Sequence, residues 1–341
     1  MYFYVSYQGV GMAQVTVIIA TYNRGHCLEA AVESVLQQTF RDVEIIIADD
    51  GSTDNTAAIV EQYLRPHHAL RGRVQYFQQP HEGKSIALNN AISRANSEWI
   101  AFLDSDDVWL PEKLERQFLV LERFPDSAAC FTDYTCVNNP KMDTTGFRFH
   151  GQLFGQRVGR LPATARVILD APFISIVTLV CKASLIDRVG GFDPQLRFTE
   201  DYDFLFRLAL LGDFCFVNAP LVMVDRSIPA IRHTGTSAIW DDIEFRLKCE
   251  QYRYEKWLAL DLGLSRDMHA SIKRKLRAVH SSWANEHLQR GEYDRAADAI
   301  IEAVKYQVTP NLLVKLALTR TFPSTMRRIA GSRNGFKREY F

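Results

Sequence analysis

No net charge, no cysteine pair and no long apolar run mark this chain, and each absence excludes something. Forty basic and forty acidic side chains cancel to a formal net charge of zero. A nucleic-acid partner, which needs a basic face, is therefore not expected. Cysteine is sparse, with six in 341 residues and none in a CxxC pair. Several lie in apolar runs, as Cys181 does after Val177-Thr178-Leu179-Val180, which predicts reduced core thiols and argues against a disulfide framework or structural zinc. The most apolar stretch, Ile174 to Ile186, carries Lys182 and falls short of the ~18 residues of a spanning helix. Met1-Tyr2-Phe3-Tyr4-Val5-Ser6-Tyr7 lacks the basic and apolar regions of a signal peptide. A cytoplasmic protein is expected, soluble or resting on the cytoplasmic membrane face.

What is present is a rhythm. Val15-Thr16-Val17-Ile18-Ile19-Ala20 is a continuous, mostly β-branched run, the pattern of a strand buried on both faces. Helical spacing follows over Leu28–Gln38, then a second strand at Val43–Ala48, a helix at Ala57–Leu64, a strand at Val74–Phe77, a helix at Ser85–Ala95 and a strand at Trp99–Leu103. Strands alternating with helices predict βαβ units and an α/β fold with a mostly parallel sheet flanked by helices. From about Asp241 only helical periodicity remains, broken at Gly291-Glu292-Tyr293. Residues 1–13 are read as an N-terminal extension, 14–240 as the α/β domain with halves at 14–110 and 111–240, and 241–341 as a helical appendage.

Acidic clusters recur just after the strands, where open α/β sheets bind ligands. Asp104-Ser105-Asp106-Asp107 puts three carboxylates in four residues. They repel one another unless compensated, and hard divalent ions favour such oxygen ligands. The other reading is a turn capping the helix that begins near Pro111. Asp49-Asp50-Gly51-Ser52 reads equally as an Asx-type turn or as a carboxylate for a base or ribose. Thr199-Glu200-Asp201-Tyr202-Asp203 precedes an apolar helix at Phe204–Leu208, and a helix cap needs only one of its three acids.

The order of these segments is more telling than any one. Val17-Ile18-Ile19-Ala20-Thr21-Tyr22-Asn23-Arg24, Ala48-Asp49-Asp50-Gly51-Ser52-Thr53-Asp54, Gly83-Lys84-Ser85-Ile86-Ala87-Leu88-Asn89 and Phe102-Leu103-Asp104-Ser105-Asp106-Asp107 occur in turn, followed by Gly190-Gly191-Phe192-Asp193 and Glu200-Asp201-Tyr202-Asp203. Over about residues 14–235 this resembles the family 2 glycosyltransferases. The resemblance implies a GT-A fold, a nucleoside-diphosphate-sugar donor, a saccharide or glycolipid acceptor and inversion at the anomeric carbon. It implies that Ala20, Thr21 and Tyr22 border a uracil, that Asp50 accepts from the base, and that Lys84 and Ser105 lie at the nucleotide. It further implies Asp104 as the ribose-facing acid, Asp106 as a ligand of Mn²⁺ or Mg²⁺, Asp201 as the general base and Glu200 as an acceptor-orienting neighbour. His233, in Arg232-His233-Thr234-Gly235, matches a segment where relatives place a histidine near the metal, beside the alternative of an ordinary loop histidine.

A QxxRW-type motif of processive synthases is missing, so transfer of one or a few sugars is expected. Two other readings stay open: a nucleotidyltransferase, against which stands Thr21-Tyr22-Asn23-Arg24 where a Gly-rich phosphate loop belongs, and a non-catalytic nucleotide-sugar-binding protein. The tail from Arg320 to Phe341 mixes basic and aromatic residues with one acid, Glu339. It suits either peripheral membrane contact or a solvated tail.

Overall fold

The computed structural model describes residues 13–64, 73–138, 144–152, 154–225 and 242–332. Two compact units divide at Ser237 and Ala238. In the first, the chain runs β1 (Val15–Thr21), α1 (Gly25–Leu36), β2 (Val43–Asp49), α2 (Thr56–Leu64), β3 (Val74–Gln78), α3 (Lys84–Ile92) and β4 (Trp99–Asp104). Next come β5 (Val108–Trp109), α4 (Lys113–Arg123), β6 (Ala129–Val137), α5 (Gly146–Phe149), β7 (Val158–Leu161) and α6 (Thr164–Asp170). The unit closes with β8 (Val180–Lys182), α7 (Ala183–Val189), α8 (Glu200–Ala209) and β9 (Phe214–Asp225).

The expected α/β fold with flanking helices is present. One sheet has the order β3-β2-β1-β4-β8-β6-β9-β5, with β7 also paired to β9. β3, β2, β1 and β4 are all mutually parallel, which explains the unbroken apolar runs: Val17, Ile18 and Ile19 of β1 and Ile45, Ile46 and Ile47 of β2 are wholly buried. Beyond β4 the pairing is mixed, because three-residue β8 runs antiparallel to both β4 and β6. That double reversal makes β6 and its parallel partner β9 point the same way as β4. Their carboxyl ends therefore lie on the sheet edge that carries Asp104. The run from Ile174 to Ile186 is core, passing through a short turn, β8 and the start of α7.

The second unit is helical: α9 (Ile243–Ala259), α10 (Arg266–Arg290), α11 (Tyr293–Tyr306), α12 (Pro310–Thr321) and α13 (Pro323–Ser332). Asp242, Ser265 and Thr309 cap α9, α10 and α12 with side-chain oxygens. Gly291, at φ 80°, ends α10 in the left-handed conformation that glycine favours. Ala284, Ala299, Ile300, Ala303 and Leu312 form one core, and Leu288, Ala296 and Met326 another. None of the six cysteines is joined in a disulfide. Among the described residues no helix is long and apolar enough to cross a membrane.

Candidate active site

The ends of β1 and β2 interlock through side chains. Asn23, at φ 52°, accepts from the Thr53 amide at 2.8 Å and donates from its own amide to Ser52 Oγ at 2.8 Å. Asp54 accepts from the Gly25 amide at 3.0 Å and from Thr56 at the start of α2. Asp49 is buried and accepts from the Ser52 amide at 2.8 Å and the Tyr76 hydroxyl at 2.7 Å. The turn-forming reading of this segment thus holds for Asp49.

Asp50 is more surprising. Its Oδ1 accepts from Gln79 Nε2 (2.8 Å) and the Glu82 amide (3.0 Å), and its Oδ2 from the Gly83 amide (2.9 Å), while His81 Nδ1 lies 2.8 Å from Oδ2 and 3.1 Å from the Asp50 carbonyl oxygen. Three hydrogen bonds and the adjacent His81 ring crowd the carboxylate, so Asp50 holds the 79–83 loop at the head of α3. His81 then stacks on Tyr22, with centroids 4.0 Å apart and planes 15° from parallel. Ala20 is half-buried, whereas Thr21 is buried with a hydroxyl that has no hydrogen-bond partner among the described residues.

At the end of β4, Asp104, Asp106 and Asp107 offer oxygens within 4.8 Å of one another. They do not cap the next helix, since α4 has no side-chain cap. Asp104 Oδ1 accepts from Lys84 Nζ at 2.6 Å, Asp107 Oδ1 from the Asp225 amide at 3.0 Å, and Asp106 faces Arg24 at 3.7 Å. Ser105 is buried between them.

The third cluster reaches this edge through packing. Phe102, two residues before Asp104, meets Phe192 and Phe204 edge-on at 5.4 and 5.8 Å, and Phe192 stacks on Phe204 at 4.3 Å. All three rings are buried. This trio fixes the acid-bearing end of β4 relative to α8, three residues from Asp201. Asn89 of α3 grips Phe192 with both ends of its amide, each bond 2.8 Å. Gly191 is required there: its φ is 66°, and a Cβ would stand 2.5 Å from Asn89 Oδ1. Arg207 ties α8 to the same loop through the carbonyls of Gly191 (2.7 Å) and Val189, and bonds twice to buried Asp203.

Of the three acids at the head of α8, Asp203 is therefore structural. Glu200 is buried and Asp201 half-buried, its Oδ1 accepting from the Tyr202 amide at 2.8 Å. Burial, then the Asp201 charge, pushes the Glu200 carboxyl up to about 7, with Lys84 opposing and Asp104 adding to the rise. Burial disfavours the Lys84 ammonium, yet Asp104, Glu200 and Asp201 hold its pKa well above the ordinary lysine value. Partial burial, then Asp104, raises Asp106, against Arg24 and Lys84. Lys84 is thus where donor-side and acceptor-side acids meet.

The Glu200 shift carries a stability consequence. Folded Glu200 keeps its proton up to about pH 7, while in the unfolded chain it releases it near the ordinary 4.5. Its contribution is present below pH 4.5 and is lost as pH rises through 7. Denaturant titrations should show that Glu200→Gln flattens the loss of stability between these limits by on the order of 3 kcal/mol. Parallel pH slopes in the two proteins would refute the assignment.

The sequence model of Glycosyl transferase family 2 matches residues 16–174. Over these residues, a little under half of its length, the chain matches the family 2 glycosyltransferases. An uncharacterized glycosyltransferase of Haemophilus influenzae is 28% identical over 261 residues, 75% of this chain and 81% of the relative. The putative teichuronic acid biosynthesis glycosyltransferase TuaG of Bacillus subtilis is 40% identical over 124 residues, 36% of this chain and 47% of its own. Three curated bacterial relatives, that of Haemophilus among them, are spanned over 62%, 81% and 69% of their lengths. In fold, the chain is similar to the S. aureus TarS 1-349 structure in complex with UDP-GlcNAc, with a TM-score of 0.67, 19% identity and coverage of 94% of this chain and 92% of that one.

The GT-A architecture follows. His233 lies outside the described residues. The sequence pattern assigns no role to Arg24, His81, Asn89 or Arg207. Arg24 and Asn89 stood inside the quoted motifs, whereas no sequence pattern marked the other two.

Proposed function

We propose that this enzyme moves one sugar from a UDP-sugar to an acceptor hydroxyl, inverting the anomeric carbon and releasing the product after one or a few additions. The carrying observation is Lys84, bonded to Asp104 and within the field of the Glu200 and Asp201 charges, which supports donor and acceptor acids sharing one site. In this reading Tyr22 borders the uracil, Asp104 faces the ribose, and Asp50 sets the 79–83 loop beside the base. Asp50 can accept from the base only if His81 gives up its place on Oδ2.

The acids fit a divalent cation. Asp104 is engaged by Lys84 and Asp107 by the Asp225 amide, which leaves Asp106, with a side chain 38% exposed, as the leading ligand. A bound Mn²⁺ or Mg²⁺ would supply charge neutralisation for the departing diphosphate. Lys84 and Arg24 contribute fixed positive charge beside the same position. Asp201 takes the proton of the attacking hydroxyl, while buried Glu200 orients the acceptor. The TuaG relative supports a saccharide or glycolipid acceptor, in cell-surface polysaccharide, lipopolysaccharide or glycolipid synthesis at the cytoplasmic face.

Calorimetry of UDP binding with and without Mn²⁺ tests this site. The wild-type protein is expected to gain about tenfold or more in affinity, roughly 1.4 kcal/mol, and Asp106→Ala to gain nothing. Equal affinity with and without Mn²⁺ in the wild type would contradict the metal assignment.

A further inference from the structure

Helix α12 wears its apolar residues on the wrong side. Leu312 packs into the core of the helical unit, with Leu316 against it, but Leu313 and Val314 are 48% and 58% exposed. Pro310, Ala317 and Arg320 are exposed on the same side at i, i+3, i+4 spacing. Val308 and Phe322, flanking the helix, are 63% and 60% exposed. Four of the eight large apolar side chains exposed among the described residues thus fall within 308–322, which makes this a patch rather than scatter.

The charge of the same stretch is one-sided although the whole chain is neutral. Between Glu302 and Glu339 there is no acid, but there are Lys305, Lys315, Arg320, Arg327, Arg328, Arg333, Lys337 and Arg338. Lys305 is neutralised by Glu302 at 2.6 Å, and Lys315 bonds to Asn285 at 2.7 Å. Arg320, Arg327 and Arg328 are exposed, and among the described residues none has a carboxylate within ion-pair distance. Exposed aliphatic and aromatic side chains flanked by unpaired arginines are what an anionic bilayer surface accepts: the apolar groups enter the headgroup boundary and the cations meet lipid phosphate. A second copy of the chain would set these arginines against one another. A nucleic acid would leave the apolar centre without a partner.

We propose that the outer face of α12, with Val308, Phe322 and the arginines of α12 and α13, docks this glycosyltransferase on an anionic membrane surface. The inference is independent of the donor chemistry above. Flotation of the full chain with phosphatidylcholine vesicles, pure or containing about one-third phosphatidylglycerol, tests it. The protein is expected to float with the anionic vesicles only. Leu313→Glu/Val314→Glu should cut binding at least about tenfold. Arg320→Ala/Arg327→Ala/Arg328→Ala should cut it about 100-fold, at about fivefold per cation. Both variants alter exposed residues, so their melting temperatures and donor hydrolysis are expected to match the wild type. Equal flotation of wild type and variants, or equal flotation with neutral vesicles, would overturn the proposal. So would a dimer in light scattering that Leu313→Glu/Val314→Glu converts to monomer.

Discussion

Asp201→Asn is expected to lower sugar transfer by about 10²–10⁴-fold, the range a positioned base contributes, while UDP affinity stays within about twofold. The choice of Asp201 over its neighbour follows from their surroundings. Glu200 is buried beside it, its carboxyl enclosed by the protein. Asp201, half-buried at the first turn of α8, is the acid an acceptor can reach. The amide replacement keeps the shape and the Tyr202 contact but removes the basic oxygen. Turnover and calorimetric UDP affinity measured on one preparation separate chemistry from binding. Unchanged turnover would remove Asp201 from the mechanism.

The second large effect concerns stability. Arg207 and Asp203 form a buried pair, 6% and 0% exposed, and the guanidinium also holds the carbonyls of Val189 and Gly191. Arg207→Ala leaves the Asp203 charge uncompensated and should cost about 3–5 kcal/mol, read as a lower denaturation midpoint. Arg207→Lys should recover little, because a point charge cannot reproduce the forked bonds to three acceptors. Replacing both partners, Arg207→Met with Asp203→Leu, should recover much of the loss. A loss below about 1 kcal/mol in Arg207→Ala, the scale of an exposed pair, would mean the pair is not buried as described.

The first half of the fold was legible because parallel strands write themselves as continuous apolar runs: β1, β2 and β4 fall within a residue or two of the expected segments. The second half was not. β8 has three residues, and the register of β6 on β9 breaks around Asp133, so neither leaves a clean period. Helix α8 begins at Glu200 rather than Phe204, because Thr199 turns the chain at φ 65° without a side-chain cap, a conformation that composition does not announce.

The acidic clusters were found by their position after strands, but sequence could not sort their members. Asp49 and Asp50 are adjacent and identical in type, yet one closes a turn and the other anchors a loop around 30 residues away. The bonds that assemble the site join distant residues: Lys84 to Asp104, Arg24 to Asp106, and Asn89 to Phe192 across 103 residues. Such partners become visible only when the chain is folded.

What the protein releases from a nucleotide sugar decides whether it transfers sugars. Incubated with a panel of nucleoside-diphosphate sugars and Mn²⁺, it should release nucleoside diphosphate from at least one of them, UDP-linked donors first. That release should vanish with EDTA and in Asp106→Ala. Pyrophosphate release from a nucleoside triphosphate and a sugar phosphate, or tight UDP-sugar binding without turnover of any donor in the presence of Mn²⁺, would contradict it.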